Sequence, residues 1–223
     1  MLISLSCQRQ ERRHRCAMPA LGAPPLDPAS GVLTVHVEVH RTDRGDAMYR
    51  CELNYISRSG GKKSRPDAAT RAEHQFSVTA AIAYRTGSMI TDHRTGVVHD
   101  YRRKQRVEHT EIVVPTMAPA WARHRETLWN AVEAAESRKD ARLANEFILC
   151  LPYGMSLERE IAMVREFAQA VMERYGVAIE FAIHEDDTRR WDGSEKLSGG
   201  RHAHVLMSTR MLTAGGFSKG QGA

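Results

Sequence analysis

Cysteine is scarce in this sequence of 223 residues: Cys7, Cys16, Cys51 and Cys150 are the only four, and no two of them form a Cys-x-x-Cys pair. Neither a zinc knuckle nor a disulfide framework is suggested. Cys51 and Cys150 fall within stretches that read as strands and are expected to be buried thiols. No apolar run reaches the ~18 residues that a membrane span requires. The opening Met1-Leu2-Ile3-Ser4-Leu5 is too short for a secretion-signal core and is followed by charge. A cytoplasmic protein with no membrane span is therefore expected. No internal repeat is visible either.

What is present suits one domain of ordinary size: 42% of residues are hydrophobic, enough to bury a core. The formal net charge of +5 favours a polyanionic partner without identifying one. Residues 1–31 are rich in Arg, Pro and Gly, and Pro19, Pro24, Pro25 and Pro28 break any periodicity. Val32 to His40 alternates and reads as an extra strand. The expected division is a poorly ordered N-terminal extension over 1–47 and a compact domain over 48–223.

Within that domain Met48 to Ile56 reads as a strand, followed by the basic loop Ser57 to Arg65, which contains Arg58, Lys62 and Lys63. Such a loop can offer backbone N–H groups and cations to phosphates, or can be a solvated turn. Phe76 to Arg85 is Ala-rich and fits a helix starting near Ser77 or Thr79 and closed by Gly87. Asp92 to Tyr101 reads as a turn and short extended segment running into Arg102-Arg103-Lys104-Gln105-Arg106, the densest basic cluster. Charge runs are usually solvated faces, so a phosphate role depends on where this one lies in space. Glu108 to Val114 reads as a strand ended by Pro115. Ala118 to Ala144 shows helical patterning, with Trp121, Leu128, Trp129, Val132 and Ala135 on its core face. Glu146 to Leu151 reads as a central strand, and Ser156 to Tyr175 as a helix ended by Gly176. Two further strands run to His184 and from His202. Their connection without a helix argues for an α+β fold with a mainly antiparallel sheet.

The strand Arg201-His202-Ala203-His204-Val205-Leu206-Met207 carries the chemistry. Side chains alternate along a strand, so His202 and His204 share a face while Ala203 points away. Two imidazoles on a rigid strand are half of a metal site, and a divalent cation wants three ligands or more. His184, at the end of an apolar strand, is the best candidate for the third. Surface or core histidines are the common alternative, and a His-x-His pair alone decides nothing. The third histidine and the turn Ser198-Gly199-Gly200 tip the balance towards metal.

Ile56-Ser57-Arg58-Ser59-Gly60, Ala83-Tyr84-Arg85-Thr86-Gly87, Asp92-His93-Arg94-Thr95-Gly96, His99-Asp100-Tyr101, Leu128-Trp129-Asn130-Ala131-Val132-Glu133 and His202-Ala203-His204 together resemble the MobA/MobL family of plasmid relaxases. The resemblance runs from about Met48 to the C-terminus and rests on the order and spacing of these motifs. It implies a central five-stranded, mainly antiparallel sheet with helices packed on one face. It also implies an endonuclease and strand transferase of the His-hydrophobic-His class that nicks single-stranded DNA at a plasmid transfer origin. On this resemblance Tyr84 is the nucleophile, holding the 5′ end as a phosphotyrosine, and His184, His202 and His204 hold a divalent metal, Mg or Mn. From local charge alone Tyr101 would be chosen, and a Tyr on an Ala-rich helix is usually packing. Glu146 is expected to hydrogen-bond a ligand histidine or the phenol, with Asp100 a weaker candidate. Arg58, Lys62, Lys63, Arg85, Arg102, Arg103 and Lys104 are the candidate DNA contacts. Accessory relaxosome proteins and a coupling protein are implied partners. Two alternatives stay open: a non-cleaving DNA-binding module in which the metal is structural, and a replication initiator or transposase with the same histidine pair.

Overall fold

A computed structural model of the chain describes residues 51–59, 76–185 and 200–219. The expected extension over 1–47, the strand over 32–40, Lys62, Lys63, Ser198 and Gly199 lie outside the described residues. The elements, in order, are β1 (Cys51–Ser57), α1 (Val78–Thr86), β2 (Met89–Thr91), β3 (Val98–Asp100), β4 (Val107–Val113), α2 (Arg125–Ala135), β5 (Arg142–Cys150), α3 (Leu157–Tyr175), β6 (Val177–Glu185), β7 (Arg201–Thr213) and β8 (Gly216–Phe217).

Five strands form the main sheet in the order β1-β5-β7-β6-β4, with every neighbour antiparallel. The short β8 folds back on β7, and β2 and β3 make a separate hairpin. The fold is the α+β arrangement that the sequence suggests. Cross-strand partners lie on one face, so the register sorts the residues into two layers. His184, His202, Cys150 and the row Glu180, Leu206, Glu146 fall on one face. Ile183, Ala203, Val205, Phe181 and Phe147 fall on the other.

Helices α1 and α2 cover the histidine face. Trp129 of α2 donates its indole N–H to Glu180 Oε2 at 2.6 Å, and Arg125 Nε reaches Glu180 Oε1 at 2.5 Å. The opposite face is covered as well, by α3, whose Phe167 meets Phe147 edge to face at 5.3 Å, so helices pack on both faces and not on the one expected. The cause is the composition of β6, which is buried at every position except its last. A strand buried at both parities needs cover on both sides.

Two further expectations are corrected. Helical patterning over 118–144 resolves into a 3-10 turn at Ala120–Arg123, the shorter α2, and a strand that begins at Arg142 rather than Glu146. Helix α2 stops because Arg58 takes carbonyls at its C-terminal end: Nη2 donates to Glu133 O, and Nη1 to Glu136 O and Arg138 O. Leu143 and Ala144 are then buried in the sheet. Cys51 and Cys150 are half-buried, not buried, because they end strands at the open end of the sheet.

Candidate metal centre and active site

The antiparallel register puts His184 opposite His202, while His204 lies two residues along β7, on the same face, opposite Ala182. The three imidazoles therefore converge at one end of the sheet. Their ring centroids are 4.9 to 5.3 Å apart. One nitrogen from each lies within 4.8 Å of the others. Metal–imidazole bonds are ~2.1 Å long, so small ring rotations bring the three nitrogens onto one cation. The donor set fits such an ion.

Hydrogen bonds choose the nitrogens. His184 Nε2 donates to the backbone carbonyl of Arg85 at 2.5 Å, leaving Nδ1 for a cation. His204 Nδ1 donates to Glu146 Oε1 at 2.7 Å, leaving Nε2. A carboxylate or carbonyl behind a ligand histidine fixes its tautomer and ring orientation. Burial pushes His184 down to about 4; the Arg85 carbonyl acts against that, and Lys104 and the other two histidines reinforce it. The ring is thus neutral, with its lone pair available, at neutral pH. For Glu146, burial alone would raise the carboxyl, but hydrogen bonds from His204 and Arg85 outweigh it and hold the group at about 2.

Helix α1 brings Tyr84 beside this centre. Ser77 caps the helix by accepting from Ala80 N at 3.0 Å, and Gly87 closes it with φ of 60°, a conformation that glycine adopts without steric cost. Val78, Thr79, Ile82, Ala83 and Thr86 are buried, which leaves Tyr84 on the outer side, 51% exposed. Its ring meets Tyr101 edge to face at 5.3 Å. Lys104 Nζ stands 3.8 Å from the centroid of the same ring and donates to the Tyr84 carbonyl at 2.9 Å. Burial, then the charge of Arg85, lowers the pKa of Lys104.

Of the residues singled out in the sequence, the structure brings together His184, His202, His204 and Glu146, with Arg85 linking Tyr84's helix to them. The candidate DNA contacts divide. The Arg58 guanidinium is spent on Glu133 and three carbonyls, and that of Arg85 on Glu146 and Ala81 O. Arg102 is exposed but paired with Asp100 at 2.7 Å, and Arg103 is exposed beside it. Asp100 accepts from Arg102 at two points. The part played by the Arg85 carbonyl was not legible in the sequence, because a main-chain contact leaves no residue signature.

The MobA/MobL family model matches residues 76–222. The chain is 36% identical over 177 residues to mobilization protein MobL of Acidithiobacillus ferridurans, covering 73% of this chain and 42% of that one. It is 31% identical over 151 residues to conjugal transfer protein TraA of Agrobacterium fabrum, covering 63% of this chain and 13% of that one. The chain thus spans less than half the length of these relatives. A solved structure described as "Molecular Basis of Vancomycin Resistance Transfer in Staphylococcus aureus" superposes with a TM-score of 0.62 at 27% identity, covering 77% of this chain and 76% of that one.

Proposed function

Because the chain belongs to the MobA/MobL family, we propose that it is a relaxase that nicks single-stranded DNA at a plasmid transfer origin and later rejoins it. The domain over 48–223 carries this activity in the cytoplasm, alongside accessory relaxosome proteins and a coupling protein. The observation that carries the reading is the convergence of three histidines, two of which, His184 and His204, already have one ring nitrogen held, next to a helix that presents an exposed tyrosine.

In the proposed reaction the Tyr84 phenolic oxygen forms a bond to phosphorus as the bond from phosphorus to the 3′ oxygen breaks. The phenol gives up a proton and the departing 3′ oxygen takes one, so the step balances without water. The phosphotyrosine keeps the phosphodiester energy, and the free 3′-hydroxyl can reverse the reaction. His184, His202 and His204 hold the cation, and Glu146 fixes the ring of His204. A bound divalent cation supplies Lewis-acid polarisation of the non-bridging phosphate oxygen. Three imidazoles suit Mn better than Mg, which prefers oxygen ligands. Lys104 keeps the phenol in place, and Arg102 and Arg103 face solvent near it for phosphate contact.

The test is an oligonucleotide carrying the cognate nick site, incubated with the protein and Mn²⁺ and resolved on a denaturing gel. A covalent adduct is expected with wild type. Binding without cutting under every divalent metal tried would instead favour a non-cleaving module.

A further inference from the structure

Arg85 is joined to two of the three histidines by two different parts of itself. Its backbone carbonyl accepts from His184 Nε2 at 2.5 Å. Its guanidinium grips Glu146 at two points, Nε to Oε1 at 2.5 Å and Nη2 to Oε2 at 2.7 Å, and Glu146 Oε1 in turn accepts from His204 Nδ1 at 2.7 Å. The third nitrogen, Nη1, turns back to Ala81 O at 3.0 Å within α1. The guanidinium is thus shared between the helix and the sheet. It is only 19% exposed, and Glu146 is 4% exposed.

We infer that Arg85 is a positioning residue that couples metal loading to the placement of Tyr84, its neighbour in the chain. The inference rests on the reading of the three histidines as a metal site. When a cation draws in His184 and His204, the carbonyl and the carboxylate behind them must follow, and both are attached to the same residue of α1. Seating the helix and binding the metal then favour each other. By reciprocity, loosening the helix must weaken the metal by the same factor. Lysine cannot replace this arginine, since an ammonium offers no planar two-point grip on a carboxylate. The same geometry removes Arg85 from the candidate phosphate contacts.

The experiment titrates wild type, Arg85→Gln and Arg85→Lys with MnCl₂ in a calorimeter and follows hydrogen–deuterium exchange over residues 78–86 with and without Mn²⁺. Wild type is expected to bind one Mn²⁺ and to slow exchange in α1 as it does so. Both variants are expected to bind Mn²⁺ roughly 10- to 100-fold more weakly, the usual loss for partners that stand behind metal ligands. Arg138→Gln, on a side chain 77% exposed, is expected to bind as wild type does. Thermal unfolding of each variant checks that it is folded. If Arg85→Gln does not fold, Arg85→Lys and the exchange of the wild-type helix still decide the matter. Wild-type Mn²⁺ affinity in the folded variants, or exchange over 78–86 that ignores the metal, overturns the coupling alone. Absence of Mn²⁺ binding by wild type overturns the metal reading and the coupling together.

Discussion

Lys104 holds Tyr84 at two places, its ammonium donating to the tyrosine carbonyl at 2.9 Å while standing 3.8 Å from the centroid of the tyrosine ring. A cation over an aromatic face contributes about 0.5 to 2 kcal/mol. If that energy orients the phenol, Lys104→Gln should slow adduct formation by roughly twofold to thirtyfold at saturating DNA. Single-turnover cleavage separates this from a phosphate role. A variant with unchanged rate but raised KM would place Lys104 on the DNA instead.

Tyr84→Phe should abolish the covalent adduct while leaving affinity for a single-stranded oligonucleotide within about twofold, since one hydroxyl is lost from an exposed ring. Tyr101→Phe should still form the adduct. Fluorescence anisotropy and a denaturing gel read the two properties separately. Retention of the adduct by Tyr84→Phe assigns the nucleophile elsewhere.

Metal should raise thermal stability. Binding to the folded state alone stabilises by about 2.7 kcal/mol at a ligand concentration one hundred times Kd. The melting temperature should therefore rise with Mn²⁺, rise less with an equal concentration of Mg²⁺, and return to its starting value with EDTA. His202→Ala and His204→Ala should show no rise. An equal shift in His204→Ala would mean that the ion binds at another place.

The metal-free protein should lose stability in acid in two stages. His184 has its folded pKa lowered to about 4 from 6.5, so the unfolded chain takes up its proton first and stability falls as pH drops from 6.5 to 4. Glu146 has its folded pKa lowered to about 2 from 4.5, so its contribution is complete above 4.5 and is lost as pH falls towards 2. Each stage is worth on the order of 3 kcal/mol. Urea unfolding across this range should show His184→Gln flat in the upper stage and Glu146→Gln flat in the lower. Parallel curves for wild type and both variants would contradict the assignment.

The sequence made the site legible wherever chemistry followed period. Alternation along a strand was enough to place His202 and His204 on one face, and an apolar run ending in a histidine was enough to suggest His184. Helix α1 was legible from its Ser77 and Gly87 boundaries. The end of α2 was not, because what stops it is Arg58, 75 residues away from Glu133 in the chain. Residues such as Leu143 and Ala144 are compatible with either a helix or a strand, and only the pairing of β5 with β1 and β7 decides between them. Helix α3 was legible over Ser156 to Tyr175, but the face it covers was not, because burial along β6 does not identify its cover. The surroundings of the basic side chains were the least legible. Arg58 and Arg85 carry the charge that phosphate contact needs, yet both are committed to carboxylates inside the protein.

The pairing of His184 with His202 also acts as a safeguard. Sliding one of these two strands by a single position would send its imidazoles to the side occupied by α3, where they would meet Phe167 and its neighbours and no cation could be shared. A misassembled copy therefore lacks the three-histidine cluster, which arrives only with correct folding.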